Sequence, residues 1–152
     1  NGAMGILINR LSDYTVGDVL KQMNISTQNP QLAALPVLAG GPVHPERGFV
    51  LHDDPRDWAS TLRIHGNLAV TTSRDILEAM AAGEGPEHAV VALGCAGWEA
   101  GQLEGELTDN SWLTAPADDA IVFKVPVEER WQAAAASLGV DLNQLTDYVG
   151  HA

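Results

Sequence analysis

A single cysteine in 152 residues, Cys95, leaves the chain without an internal disulfide and without any multi-cysteine zinc or iron–sulfur site. That fits a reducing compartment, and the expected location is cytoplasmic. Long apolar runs are also missing. Hydrophobic residues make up 45% of the chain, yet no unbroken stretch approaches the ~20 residues of a membrane-spanning helix. Basic side chains are scarce, eight Lys and Arg against twenty Asp and Glu, for a net charge of −12. The deficit is lopsided. Residues 1–74 hold six acids and six bases, whereas residues 75–152 hold fourteen acids against Lys124 and Arg130 and so carry the whole −12. Such a surface repels phosphates, so neither nucleic acid nor an anionic membrane is an expected partner. Repeats, low-complexity segments and linkers are lacking as well, and the length suits one domain over residues 1–152.

What is there reads as a mixture of short helices and short strands. Thr15 followed by Asp18 is a capping-box variant, and Val16, Val19, Leu20 and Met23 recur at helical spacing, predicting a helix over 16–23. Thr72 or Ser73 caps a second helix, with Asp75 in its first turn, Ile76, Leu77 and Met80 as its stripe, and Gly83 as its stop. Near 98–107, Ala100, Leu103 and Leu107 keep helical spacing while Gly97, Gly101 and Gly105 would form a smooth side for close backbone packing. A last helix opens at Pro126, buries Val127, Trp131, Ala135 and Leu138, and ends at Gly139. Strand-length apolar runs lie at 3–8, 37–39, 49–51, 62–64, 68–71, 89–93 and 121–125, with a tight hairpin turn at His65-Gly66-Asn67 and a long loop over 24–36. Clustered strands and irregularly spaced helices point to α+β.

No constellation of residues identifies a chemistry. Cys95 sits where a strand gives way to a predicted helix, which can activate a thiol, but Glu99 opposes a thiolate there, and a packed small hydrophobe is the expected role. The turn around Cys95 matches no phosphate-binding motif. A second glycine-rich turn, Gly40-Gly41-Pro42-Val43-His44, has Arg47, His52, Arg56 and Arg63 close in sequence. Gly40, Gly41, His44, Arg47 and His52 are therefore the candidate ligand-binding residues, for a small anion, against the alternative of a purely structural turn. His44, His52, His65, His88 and His151 lack the i, i+4 spacing of a helical metal pair, so neither metal nor cofactor is expected. Trp58, Trp98, Trp112 and Trp131 are expected in the core. A Ser-His-Asp set drawn from Ser60 or Ser73 would be arbitrary.

Several motifs in order do carry a resemblance. Gly2-Ala3-Met4-Gly5-Ile6-Leu7-Ile8-Asn9, Gly40-Gly41-Pro42-Val43, Gly48-Phe49-Val50-Leu51-His52, Thr71-Thr72-Ser73-Arg74-Asp75-Ile76-Leu77, Ala96-Gly97-Trp98, Gly101-Gln102-Leu103-Glu104, Asn110-Ser111-Trp112-Leu113 and Gly150-His151-Ala152 together resemble the bacterial AlgH/YqgE family over essentially the whole chain. The resemblance implies an α+β domain with a bifurcated, mostly antiparallel sheet folded into a pseudo-barrel and helices packed on it. It also implies that the chain lacks the N-terminal strands with which members begin, one or two at usual strand sizes, leaving a sheet edge open to a partner. Family members are described as transcriptional regulators by label, with no agreed catalytic residues. An aromatic residue is common where this chain has Cys95, so a thiol chemistry shared across the family is not implied. The resulting expectation is a non-enzymatic regulatory protein acting through protein contacts or a small ligand. The alternative is a small enzyme with its site between the Gly40-Gly41-Pro42 and Ala96-Gly97-Trp98 turns and His44 or His52 as acid/base.

Overall fold

The computed structural model describes residues 1–139; His151 and the Gly150-His151-Ala152 motif lie outside the described residues. Local signals explain the first helices. Thr15 and Asp18 form the expected capping box, each side chain accepting from the other's backbone N–H, at the head of α1 (Val16–Gln22). Helix α3 (Arg74–Ala81) follows Ser73, buries Ile76, Leu77 and Met80, and stops at Gly83, whose φ of +79° only glycine adopts readily. Within the predicted 24–36 loop a short α2 (Pro30–Ala34) forms instead. Asn29 accepts from the N–H groups of Gln31 and Leu32, and Pro30 opens the first turn.

The strands are β1 (Ala3–Gly5), β2 (Leu11–Thr15), β3 (Pro36–Ala39), β4 (Val43–His52), β5 (Thr61–His65), β6 (Leu68–Thr71) and β7 (Ala89–Trp98). They form one sheet ordered β2-β3-β7-β4-β6-β5, mostly antiparallel, with β3 and β7 parallel. The predicted hairpin joins β5 to β6, with Gly66 at φ +59°. The sheet forks at β7. Ala92 and Leu93 pair with β3, and further along the same strand Ala96, Gly97 and Trp98 pair with β1. The expected closure into a pseudo-barrel does not occur. Closing would require β2 to pair with β5, but β2 leads directly into α1 and both strands remain edges of an open sheet.

The two faces of this sheet bury different groups. One face, with Val37, Val50 and Val91, receives α1, α2 and α3 through Val16, Leu20, Leu32, Ile76 and Leu77. The other face, with Phe49, Leu51, Val70 and Cys95, receives Ile6, Ile8 and, from α5 (Asp119–Phe123), Val122 and Phe123. Leu93 and Cys95 stand two residues apart on β7 and would share a face in a regular strand. They pack instead into opposite cores. The phase slips at Gly94, which lies between them at φ +81°.

Three further expectations need correction. Residues 121–125 are not a strand: Asp118 caps the backbone N–H of Ala120, and most of the run falls in α5. Nor does a helix begin near 98. Strand β7 runs on through Trp98, and α4 (Gln102–Thr108) starts after Gly101, so the three glycines share no helical side; added methyls at Gly101 and Gly105 would meet open space. Finally, Pro126 opens a single 3-10 turn, Val127–Glu129, and only then does α6 (Arg130–Ser137) begin. That shift turns Trp131 outward, 52% exposed, and brings Arg130 inward. Arg130 extends its guanidinium to the carbonyls of Ile8 (2.7 Å) and Val125 (3.0 Å), joining the chain's beginning to its last described helix.

Candidate functional site

Two glycine segments meet where β4 begins. Gly40 and Gly41 lie against Gly94, Cys95 and Ala96 so closely that a methyl group on Gly40, Gly41 or Gly94 would collide with the opposing backbone. The expected turn is thus a backbone-to-backbone lock at Gly40 and Gly41, and beyond it Val43 and His44 on one segment and Cys95, Ala96 and Gly97 on the other line a common groove. Beside the lock, β4 bulges. Val43 pairs with Cys95 and Gly48 with Leu93, so five steps of β4 are set against two of β7. The surplus chain lifts His44 and Arg47 from the sheet, and His44 takes φ +47°, uncommon for a residue other than glycine.

The bulge forms one wall of a groove of about 490 Å3 on the sheet face that α5 covers only in part. Its floor is apolar, with Phe49, Val70 and Cys95 at the base and Met4, Val43 and Leu62 along the sides. The rim carries His44, Arg47, Ser60, Thr61 and Thr72. Of the five residues expected to bind a ligand, the fold brings His44 and Arg47 to this groove. Gly40 and Gly41 support it from behind through the lock.

His52 lies at the other end of β4, fully buried. Its Nδ1 accepts from the Asp54 backbone N–H (3.4 Å), which leaves the ring proton on Nε2, 2.8 Å from the Thr71 hydroxyl. Thr71 in turn lies 2.8 Å from the Thr61 hydroxyl. Burial, with Arg63 nearby, lowers the His52 pKa below the ordinary imidazole value. The same end of the sheet is tied by Arg56, whose bidentate bonds to Asp54 lower that carboxyl's pKa, and by Arg63, which donates to the carbonyls of Asp54, Pro55 and Arg56.

Sequence reasoning did not single out two further clusters. His88 Nδ1 lies 2.9 Å from Asp53, fastening the segment before β7 to the end of β4, and its ring stacks on Phe123. Only sequence-distant contacts create that pair. Glu106 accepts from both Trp98 Nε1 (3.3 Å) and Trp112 Nε1 (2.9 Å) as well as from Gln102, and these bonds, led by Trp112, lower its pKa. The two indoles meet edge to face at 5.8 Å. Trp112 is nevertheless 46% exposed, so it and Trp131 are not the expected core anchors. Among the described residues, no group of three His, Cys, Asp or Glu side chains could hold a metal ion.

An open, forked sheet, helix-covered on one face and grooved on the other, defines an α+β protein of a distinctive kind. The chain belongs to the AlgH-like family, whose model matches residues 1–143. A UPF0301 protein of Stenotrophomonas maltophilia is 65% identical over 99% of this chain and 80% of its own length. Another from Xanthomonas campestris is 64% identical over 100% of this chain and 81% of its own. The solution structure of the AlgH protein from Pseudomonas aeruginosa superposes with a TM-score of 0.80 at 52% identity, over 95% of this chain and 77% of that one. A Corynebacterium diphtheriae protein solved by X-ray crystallography shares the fold at TM-score 0.60 and 22% identity, over 84% of this chain and 68% of the other.

Proposed function

We propose that this protein is a non-enzymatic regulatory protein of the cytoplasm whose groove binds a small ligand and whose output passes through protein contacts without direct contact with DNA. The groove beside the β4 bulge carries the reading: a cavity of about 490 Å3 lies within the ~300–1,000 Å3 typical of ligand sites, and it pairs an apolar floor with a few polar rim groups. The acid/base alternative has less support. His44 stands at the groove, whereas His52 is sealed at the far end of β4 in hydrogen bonds to Thr71 and Asp54, and Cys95 is buried in the floor.

Ligand-observed NMR of the protein in a cytosolic small-molecule extract tests this. The expected result is that one or more components bind and their concentrations stay constant over hours. Conversion of a bound component, lost in His44→Gln, would establish the enzyme in its place.

A further inference from the structure

The lining of the groove is unusual for this chain in its charge. Twenty of 152 residues are acidic, yet among the described residues no Asp or Glu lines the groove. Among the described lining its one permanent charge is Arg47. Arg56, Arg63 and Arg74 each pair with a carboxylate, whereas Arg47 has none within 4 Å among the described residues. The hydroxyls are arranged to the same effect. Thr72 donates to Ser60 Oγ (3.0 Å), and among the described residues the Ser60 hydroxyl has no acceptor for its own proton. Thr61 is already engaged with Thr71 and with the backbone of Trp58. The free polar groups at the rim are therefore the Arg47 guanidinium and the Ser60 hydroxyl, both offering donors, with the His44 imidazole beside them, above an apolar floor.

From this arrangement, which rests on the groove reading above, we infer that the ligand is an amphipathic monocarboxylate: its head group on Arg47 and Ser60, its alkyl or aryl part on Phe49, Val70 and Leu62. A planar guanidinium matches a carboxylate in two parallel bonds. A phosphate dianion, with its second charge, would call for more than the single guanidinium that the described lining offers. The apolar floor excludes a small, fully hydrated anion as the preferred occupant, because burying those side chains supplies the main driving force.

Decanoate and decan-1-ol, matched in chain length, separate the two parts of the claim when each is titrated into the full chain by calorimetry at low salt. Decanoate is expected to bind one to one and more tightly than the alcohol. Arg47→Gln should weaken decanoate about tenfold, as befits one charge-assisted contact, and leave the alcohol unchanged. Leu62→Asp, at a position already exposed, should weaken both while leaving the circular dichroism spectrum unaltered. If acid and alcohol bind alike and Arg47→Gln changes neither, the carboxylate inference is overturned and the groove stands. If neither binds, if stoichiometry rises well above one, or if Leu62→Asp is silent, the groove reading falls and the inference with it.

Discussion

Trp131 and Arg130 show how closely side-chain roles depend on one residue of phase. Stripe spacing from Pro126 points Trp131 inward together with Ala135, but α6 begins only after a 3-10 turn, and Ala135 alone of the two is buried. Beside it the buried position goes to Arg130, a cation that satisfies two backbone carbonyls. No local pattern announces this, because the acceptors belong to Val125 and to Ile8, 122 residues away. Trp131→Ala should therefore change stability by no more than about 0.5 kcal/mol, the usual range for surface sites. Ile76→Ala, fully buried on the inner side of α3, should cost about 2–5 kcal/mol through the cavity it leaves. Chemical denaturation of the two variants compares them directly, and a larger loss at Trp131 would refute the assignment. His52 gives a prediction in pH. Its folded pKa is depressed, so the stability it contributes is full above the unfolded imidazole value and is lost as pH falls from there toward the folded pKa. Protonation would turn Nδ1 into a donor facing the Asp54 N–H. Its imidazole resonances, followed by NMR, should remain those of the neutral Nε2–H ring at pH 6.5; a midpoint at or above that value would contradict the buried arrangement.

Whole elements were legible where their ends are written locally. The Thr15–Asp18 box, the Asp75-led turn of α3 and the Gly66 hairpin each declare themselves within a few residues. Strand β7 does not: Gly94 and Gly97 read as a strand giving way to a turn, whereas Gly94 is the point where the strand changes face and continues. The Ile121-Val122-Phe123 run suits a strand or a buried helix equally, and its Asp118 cap decides for the helix. The groove was half legible for the same reason. His44 and Arg47 lie beside a glycine turn in sequence, but Ser60, Leu62 and Thr72 reach the groove only through the pairing of β4, β6 and β5. The glycines sort accordingly. Gly105→Ala, inside α4 with open space around it, should stabilise by about 0.5–1 kcal/mol. Gly40→Ala, facing the Gly94 carbonyl, should destabilise by well over 1 kcal/mol. Thermal melting that ranked the pair the other way would be incompatible with the lock.

At the scale of the molecule, three of the six cations of the first half are taken up by carboxylates. Arg56, Arg63 and Arg74 are each bound to an acid, and Arg47 stands apart from them at the groove. Labelled duplex DNA should therefore show no saturable anisotropy change at low salt up to micromolar protein, since binding depends on clustered charges displacing counterions. Salt-sensitive saturation would overturn that expectation. No described helix is long and apolar enough to cross a membrane. The forked strand has a bearing on how the chain becomes this molecule at all. Strands β2 and β3 can pair as soon as they are made, and β4, β5 and β6 can do the same, but these two pieces join only through β7. At the ~5–20 residues per second of ribosomal synthesis, β3 waits several seconds for its partner. For that interval the nascent chain carries two unfinished sheets, and the arrival of Ala89–Trp98 makes them one.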